Sequence, residues 1–129
     1  MLFVDLVGFT SRSDRADPED VRAMLRAYHE RVKADLERFG GTVEKFIGDA
    51  VMAVFGAPVA HEDDAERAVR SALRILDTIE ELRDGGLEIA VRAAVTTGET
   101  VVSPHGERPA WNLHHPGIWT GLLRACGPE

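Results

Sequence analysis

The sequence has almost no cysteine and no long apolar segment, and these absences limit the protein classes to which it belongs. Cys126 is the single cysteine among 129 residues, so the chain cannot form an internal disulfide. No apolar run approaches the roughly 20 residues that a transmembrane helix needs. The first residues lack a basic segment followed by a long apolar one, so we expect no signal peptide. These features predict a cytoplasmic protein without a membrane span.

Positive charge is also scarce. Lysine and arginine total 15 against 22 acidic residues, which gives a formal net charge of −7. Binding to a nucleic-acid backbone needs clustered basic side chains, so we expect no nucleic-acid partner. The length is enough for one domain with a substantial core and too short for two ordinary ones.

Apolar periodicity and turn residues predict the order of the elements. Residues 2–7 form an apolar strand, and a first helix begins at Asp17 with Pro18 in its first turn. Two strands at 42–46 and 50–55 flank a hairpin turn. A second helix follows a capping box at 63–66. Its predicted apolar stripe contains Ala65, Ala68, Val69, Ala72, Leu73, Leu76, Ile79 and Leu82. Residues 89–95 alternate as a half-buried strand.

This β-α-β-β-α-β order predicts an α+β fold of the ferredoxin-like kind. The helices would cover one face of an antiparallel sheet, with the first strand central and beside the hairpin. Residue usage changes abruptly after Val102. We therefore predict a domain over residues 1–102 and an irregular or poorly ordered tail over residues 103–129.

Asp5 and Asp49 are the candidate metal ligands. Asp5 ends an apolar strand, and Asp49 lies in the hairpin turn, so the predicted fold makes them neighbours. Two adjacent carboxylates repel each other unless a cation lies between them, and Mg²⁺ uses one or two carboxylates plus substrate phosphates. The alternative is that Asp49 is only a turn residue and Asp5 only a cap.

Two further features have open interpretations. The glycine in Gly8-Phe9-Thr10 lies at a strand-to-helix turn, where successive N–H groups can face a phosphate, although such a glycine is often only structural. Lys45 precedes Asp49 by four residues on a strand and so shares its face. A solvated strand lysine is the alternative interpretation.

Two stretches resemble the motifs of class III adenylate/guanylate cyclase catalytic domains. They are residues 3–10 (FVDLVGFT) and 41–56 (GTVEKFIGDAVMAVFG), and their spacing also agrees. Residues 61–68 (HEDDAERA) and 91–99 (VRAAVTTGE) match as well. The resemblance covers roughly residues 1 to 102, and it implies a nucleotide cyclase fold that is incomplete at the C-terminus.

The resemblance implies a metal-dependent lyase of cyclic-nucleotide signalling. In this family the aspartates that match Asp5 and Asp49 hold two Mg²⁺ or Mn²⁺ ions, and the backbone of Leu6 would add a ligand. The ions would activate the ribose 3′-hydroxyl and stabilise charge as pyrophosphate leaves.

The same resemblance assigns the nucleotide contacts. Gly8, Phe9 and Thr10 would bind the triphosphate, and Lys45 matches the lysine that reads adenine. The implied substrate is therefore ATP and the implied product cyclic AMP.

The family also carries an asparagine and an arginine that orient the ribose and stabilise the transition state, and no segment of this sequence matches them. Asn112, Arg108 and Arg124 have the wrong order and spacing. We therefore expect no catalytic residue beyond the metal ligands, an open sheet edge, and weak or no activity from the chain alone. A shifted reading frame or a truncated gene product would explain the tail, and comparison of the three forward frames of the coding DNA tests this.

Active sites of this family lie between two subunits, so we expect a homodimer or a heterodimer with a complete cyclase subunit. The alternative function is a non-catalytic fragment that binds Mg-ATP or dimerises. A diguanylate cyclase is disfavoured, because residues 47–50 (IGDA) replace the hairpin motif of that class. A zinc site at His105, His114, His115 and Cys126 is also disfavoured, because the spacing fits no common pattern. Ile118, Trp119, Leu122 and Leu123 would form a short amphipathic turn over the open core.

Overall fold

The computed structural model describes residues 1–9, 14–57, 59–98 and 122–123 of the chain, the last two by their backbone only. The elements follow in the order β1 (Leu2–Leu6), α1 (Pro18–Arg38), β2 (Thr42–Ile47), β3 (Ala50–Val54), α2 (Asp64–Asp84), β4 (Val91–Val95) and β5 (Leu122–Leu123).

The strands form one antiparallel sheet in the order β2-β3-β1-β4-β5. The central position of β1, between the hairpin and β4, confirms the predicted ferredoxin-like α+β arrangement. Five strands are described rather than the four predicted. Leu122 and Leu123 pair with Ala94 and Ala93, so part of the edge that we expected to be open is paired.

Both helices pack on the same face of the sheet, as predicted. Alternation in β1 turns Leu2, Val4 and Leu6 toward the helices, where each is at most 4% exposed. The core that they form with α1, α2 and the neighbouring strands contains Leu2, Val4, Leu6, Tyr28, Val32, Leu36, Val51, Ala53, Ala72, Ile75, Ile79, Ile89, Val91 and Ala93. The side chains that alternate with them point to the opposite face, hereafter the open face.

The first helix begins as its sequence predicts. The Asp17 side chain accepts a hydrogen bond from the Glu19 N–H at 2.9 Å, and Pro18 occupies the first turn, where its missing N–H costs nothing. Gly40, with φ +82°, ends this segment in the left-handed conformation that glycine tolerates.

The prediction for the second helix was partly wrong. Asp63 is the N-cap of α2 but makes no side-chain capping bond, because its carboxylate pairs with Arg67 at 3.0 Å. Val69 and Leu73 are 39% and 51% exposed and lie outside the core. The apolar stripe of α2 is therefore narrower than its sequence indicates.

Buried polar groups join the two helices. Thr78 of α2 donates a hydrogen bond to Asp35 of α1, and both side chains are buried. Arg74 lies 3.5 Å from the same carboxylate and pairs with Glu81 at 3.1 Å, and Glu81 also accepts from Arg31 at 2.6 Å. This network fixes how α1 packs against α2.

Candidate active site

Strand alternation places Asp5 on the open face of the sheet, one residue before β1 ends. Its neighbours Val4 and Leu6 are buried against the helices, so the Asp5 side chain points the other way. Its carboxylate is partly exposed, with 41% of the side chain accessible. The Asp5 carboxylate is therefore accessible to solvent from the open face.

The hairpin turn brings Asp49 to Asp5, as the sequence predicted. Gly48 precedes it with φ +61°, a conformation that favours glycine and reverses the chain between β2 and β3. The Asp5 side chain and the backbone N–H of Leu6 both act on the pKa of the Asp49 carboxyl, in opposite directions. Residues from two strand ends therefore converge on one carboxyl group.

The surroundings of Asp49 favour its protonated form. Partial burial is the main reason that its pKa lies above the usual range, and the hydrogen bond and negative charge of Asp5 raise the pKa further. The N–H groups of Asp49 and Leu6 act in the opposite direction. Protonation of Asp49 would relieve the repulsion between the two carboxylates, and a divalent cation would do so more strongly.

Tyr28 and His29 of α1 lie near this pair, and our sequence reasoning missed both of them. The buried hydroxyl of Tyr28 has no hydrogen-bond partner in the described structure. Its pKa is raised first by burial and then by the charges of Asp5 and Asp49.

The His29 ring lies between Tyr28 and Phe46, with centroids 5.2 Å and 4.6 Å away. Burial lowers the pKa of His29, and the charge of Asp49 opposes this shift. The only signal in the sequence for Tyr28 is its helical spacing with the apolar residues of α1, and the sequence contains no specific signal for His29.

Arg92 of β4 is a third residue that sequence reasoning did not assign. It lies directly opposite Asp5 in the antiparallel register, and its Nη2 donates to Asp5 Oδ2 at 3.1 Å. The alternating pattern of β4 contained the signal, because Val91 and Ala93 are buried and Arg92 must face the other way.

Lys45 is exposed and shares the open face with Asp5. It pairs in register with Met52 of β3, and Met52 pairs with Phe3 of β1, two residues before Asp5. Cross-strand partners point to the same face, so the lysine and the two carboxylates border one surface. A register shift between Val43 and Lys45 sets which β2 residues face this surface.

The turn after β1 is described only in part. Gly8 has φ +69°, which favours glycine, and Phe9 packs partly buried against the core. Thr10 lies outside the described residues, as do the candidate zinc ligands of the tail. The prediction that residues 8–10 bind phosphates stays a prediction.

The donor set fits a divalent ion that shares its coordination with a substrate. Among the described residues, no group of three or more His, Cys, Asp or Glu side chains is arranged to hold a metal alone. Asp5 and Asp49 supply two carboxylates, and Mg²⁺ commonly takes one or two together with substrate phosphates. The pair therefore suits a divalent ion that takes its remaining ligands from outside the two side chains.

Comparison with known proteins decides the family. The sequence model of the adenylate and guanylate cyclase catalytic domain matches residues 1–112. The chain belongs to this family. The matched span extends ten residues beyond residue 102, where our predicted domain ended. This family is that of the class III nucleotide cyclases, as the sequence motifs indicated.

Relatives in the family include cyclases named for each nucleotide. Adenylate cyclase 1 of Rhizobium meliloti is 36% identical over 112 residues, which cover 83% of this chain and 17% of that protein. The guanylate cyclase domain of RhGC from Catenaria anguillulae, solved with GTP, is 31% identical with a TM-score of 0.67, covering 78% of this chain and 60% of that one.

A dimeric guanylyl cyclase domain of the RhoGC fusion protein from Blastocladiella emersonii is 33% identical, with a TM-score of 0.66. The match covers 72% of this chain and 53% of that one. This chain thus spans a sixth of the adenylate cyclase and little more than half of the two solved domains. Neither helix in the described part of the cyclase domain is long and apolar enough to cross a membrane.

Proposed function

We propose that this cyclase domain acts on ATP and forms cyclic AMP and pyrophosphate. The observation that carries the proposal is the contact between the Asp5 and Asp49 carboxyls at the end of β1, beside an open face that also presents Lys45. The adenylate cyclase of Rhizobium meliloti supports the choice of adenine. Lys45 supports it as well, because a guanine-reading cyclase usually places an acidic residue there.

Each residue has one task in this proposal. Asp5 and Asp49 hold two Mg²⁺ or Mn²⁺ ions, helped by the backbone of Leu6. When bound, such ions polarise the α-phosphate, lower the pKa of the ribose 3′-hydroxyl and stabilise the leaving pyrophosphate. Gly8, Phe9 and Thr10 hold the triphosphate, and Lys45 donates to the adenine ring.

A second subunit is needed to complete this site. The matching asparagine and arginine of the family are not found in the 129 residues, so the open face would receive them from a partner cyclase subunit. Loss of one donor to a transition state costs about 10²–10³ in rate, which predicts little turnover from two copies of this chain. The dimeric fungal domain supports pairing of such domains.

The same sequence observation supports a second candidate function, a module that binds Mg-ATP or dimerises without catalysis. Such a module would bind nucleotide through Asp5 and Asp49 and form no cyclic AMP with any partner. Both candidates predict nucleotide binding, so only the formation of cyclic AMP distinguishes them.

The test is complementation. The purified chain is mixed with a full-length class III adenylate cyclase whose own two metal aspartates are changed to asparagine, and cyclic AMP is measured from Mn-ATP. Only a mixed dimer then contains both halves of a site. We expect product from the mixture, little from either protein alone, and none with Asp49→Asn in this chain.

Glu80→Gln is the matched control, since it removes one exposed carboxylate of α2 far along the chain from both motifs. If the mixed dimer forms and binds Mn-ATP but gives no product, the binding module is correct. If Asp5→Asn and Asp49→Asn leave Mn-ATP binding unchanged, the metal assignment is wrong.

A further inference from the structure

We propose that Arg92 is a positioning residue that neutralises Asp5 when no divalent cation is bound and competes with the cation for that carboxylate. The proposal rests on the proposed function, because it takes Asp5 as a metal ligand. It concerns how the site is held before the metal enters.

The backbone dictates the contact between Arg92 and Asp5. The two residues are direct cross-strand partners in the β1–β4 ladder, which extends from Leu2 and Val95 to Leu6 and Val91. Both side chains point to the open face, and Arg92 Nη2 lies 3.1 Å from Asp5 Oδ2. The ladder therefore keeps the guanidinium beside this carboxylate even though the two side chains are 50% and 41% exposed.

Asp5 has two neighbours with opposite effects. The Asp49 carboxyl acts on Asp5 as a like charge, whereas Arg92 donates a hydrogen bond to Asp5 and supplies a full positive charge. A divalent cation held by Asp5 and Asp49 would compete with Arg92 for the Asp5 carboxylate, of which Oδ2 accepts from Arg92. Since like charges that share one carboxylate repel each other, the cation must weaken the ion pair or bind less tightly.

The consequence is a site that is ordered but not tight for the bare cation. Arg92 holds the Asp5 carboxylate in place, and it lowers the affinity of the site for Mg²⁺ or Mn²⁺ in the absence of nucleotide. Removal of the guanidinium should therefore strengthen metal binding.

The experiment measures Mn²⁺ binding to the whole chain without nucleotide, by electron paramagnetic resonance of the free ion. Exposed ion pairs are worth about 0.2–1 kcal/mol, so Arg92→Gln should lower the Kd by a factor of about 1.4 to 5. Lys33→Gln is the matched control, because it removes one positive charge from an exposed pair with Glu37 on α1. It should leave the Kd unchanged.

A second measurement follows Arg92 itself. The Nε–H resonance of Arg92 should move when Mg²⁺ is added to the wild-type chain, and Asp5→Asn should displace the same resonance without metal. An unchanged or raised Kd in Arg92→Gln, or equal tightening in Lys33→Gln, would overturn the proposal. So would an Arg92 resonance that ignores Mg²⁺.

The result also separates this inference from the proposed function. If wild type and Asp49→Asn bind Mn²⁺ equally, the metal site itself is wrong. If Asp49→Asn loses binding while Arg92→Gln equals wild type, the metal site stands and only the role of Arg92 fails.

Discussion

Asp5 raises the pKa of the Asp49 carboxyl although 43 residues separate the two residues in the chain. One lies at the end of the central strand and the other in the turn of the neighbouring hairpin. Two neighbouring carboxylates repel each other, and a proton or a cation between them relieves this repulsion. The stability of this part of the fold should therefore depend on both the pH and the metal content of the solution.

The raised pKa of Asp49 gives a prediction for stability without metal. A carboxyl whose folded pKa lies above its unfolded value of 3.8 stabilises the fold at low pH, and this contribution is lost as pH rises through the folded pKa. At pH 7 in chelator, Asp49→Asn should therefore raise the Tm of the chain, measured by circular dichroism.

Bound metal should make the wild type more stable than Asp49→Asn. Mn²⁺ at about 100 times its Kd should stabilise wild type by about 2.7 kcal/mol and leave Asp49→Asn almost unaffected. Mn²⁺ affinity should fall as pH falls through the raised pKa. An affinity that does not change with pH would show that Asp49 is not a ligand.

The buried hydrogen bond from Thr78 to Asp35 gives a prediction for folding alone. Thr78→Val keeps the side-chain shape but leaves a carboxylate that is 8% exposed with one partner fewer. The free energy of unfolding should fall by about 1–3 kcal/mol, measured by urea denaturation. Glu80→Ala, at an exposed position of the same helix, should change it by less than about 0.5 kcal/mol. Equal effects would show that this hydrogen bond is not a stabilising contact.

Close packing at Gly41 predicts a steric effect where α1 turns into β2. A Cβ at this position would lie 2.7 Å from Phe55 Cζ and 3.0 Å from the Leu36 carbonyl oxygen. Gly41→Ala should therefore destabilise the fold by about 1–3 kcal/mol in the same urea assay. Gly98→Ala is the control, since nothing lies within 4 Å of its added Cβ. An unchanged free energy of unfolding in Gly41→Ala would mean that the turn shifts at little energetic cost.

Base selection should depend on Lys45. Its position on the open face beside Met52 fits the proposal that it donates to adenine, and Lys45→Glu would reverse both charge and hydrogen-bonding character. We expect the ratio of ATP to GTP affinity to fall by about 10-fold or more, measured by competition for a fluorescent nucleotide with Mn²⁺ present. Lys33→Glu on α1 should leave the ratio unchanged. A shift in both affinities without a change in their ratio would assign Lys45 to phosphate binding.

The sequence by itself determined the order of the elements from β1 to β4, the central strand and the pair of acidic residues. A short apolar run marked β1, helical spacing marked α1 and α2, and glycines marked the hairpin. These signals are local, so they can be interpreted without knowing which distant residues each segment contacts. The family resemblance rested on the same short stretches around Asp5 and Asp49.

Only the tertiary structure decided which side chains meet. Arg92 faces Asp5 because strands 87 residues apart pair in one register, and no local pattern encodes that pairing. Val69 and Leu73 follow the apolar period of α2, yet they lie outside the core, since the sheet covers only part of that stripe. Asp63 pairs with Arg67 instead of capping α2, because a charged partner one helical turn away competes for the carboxylate. Contacts between distant segments, and competition among nearby partners, are what the linear pattern leaves open.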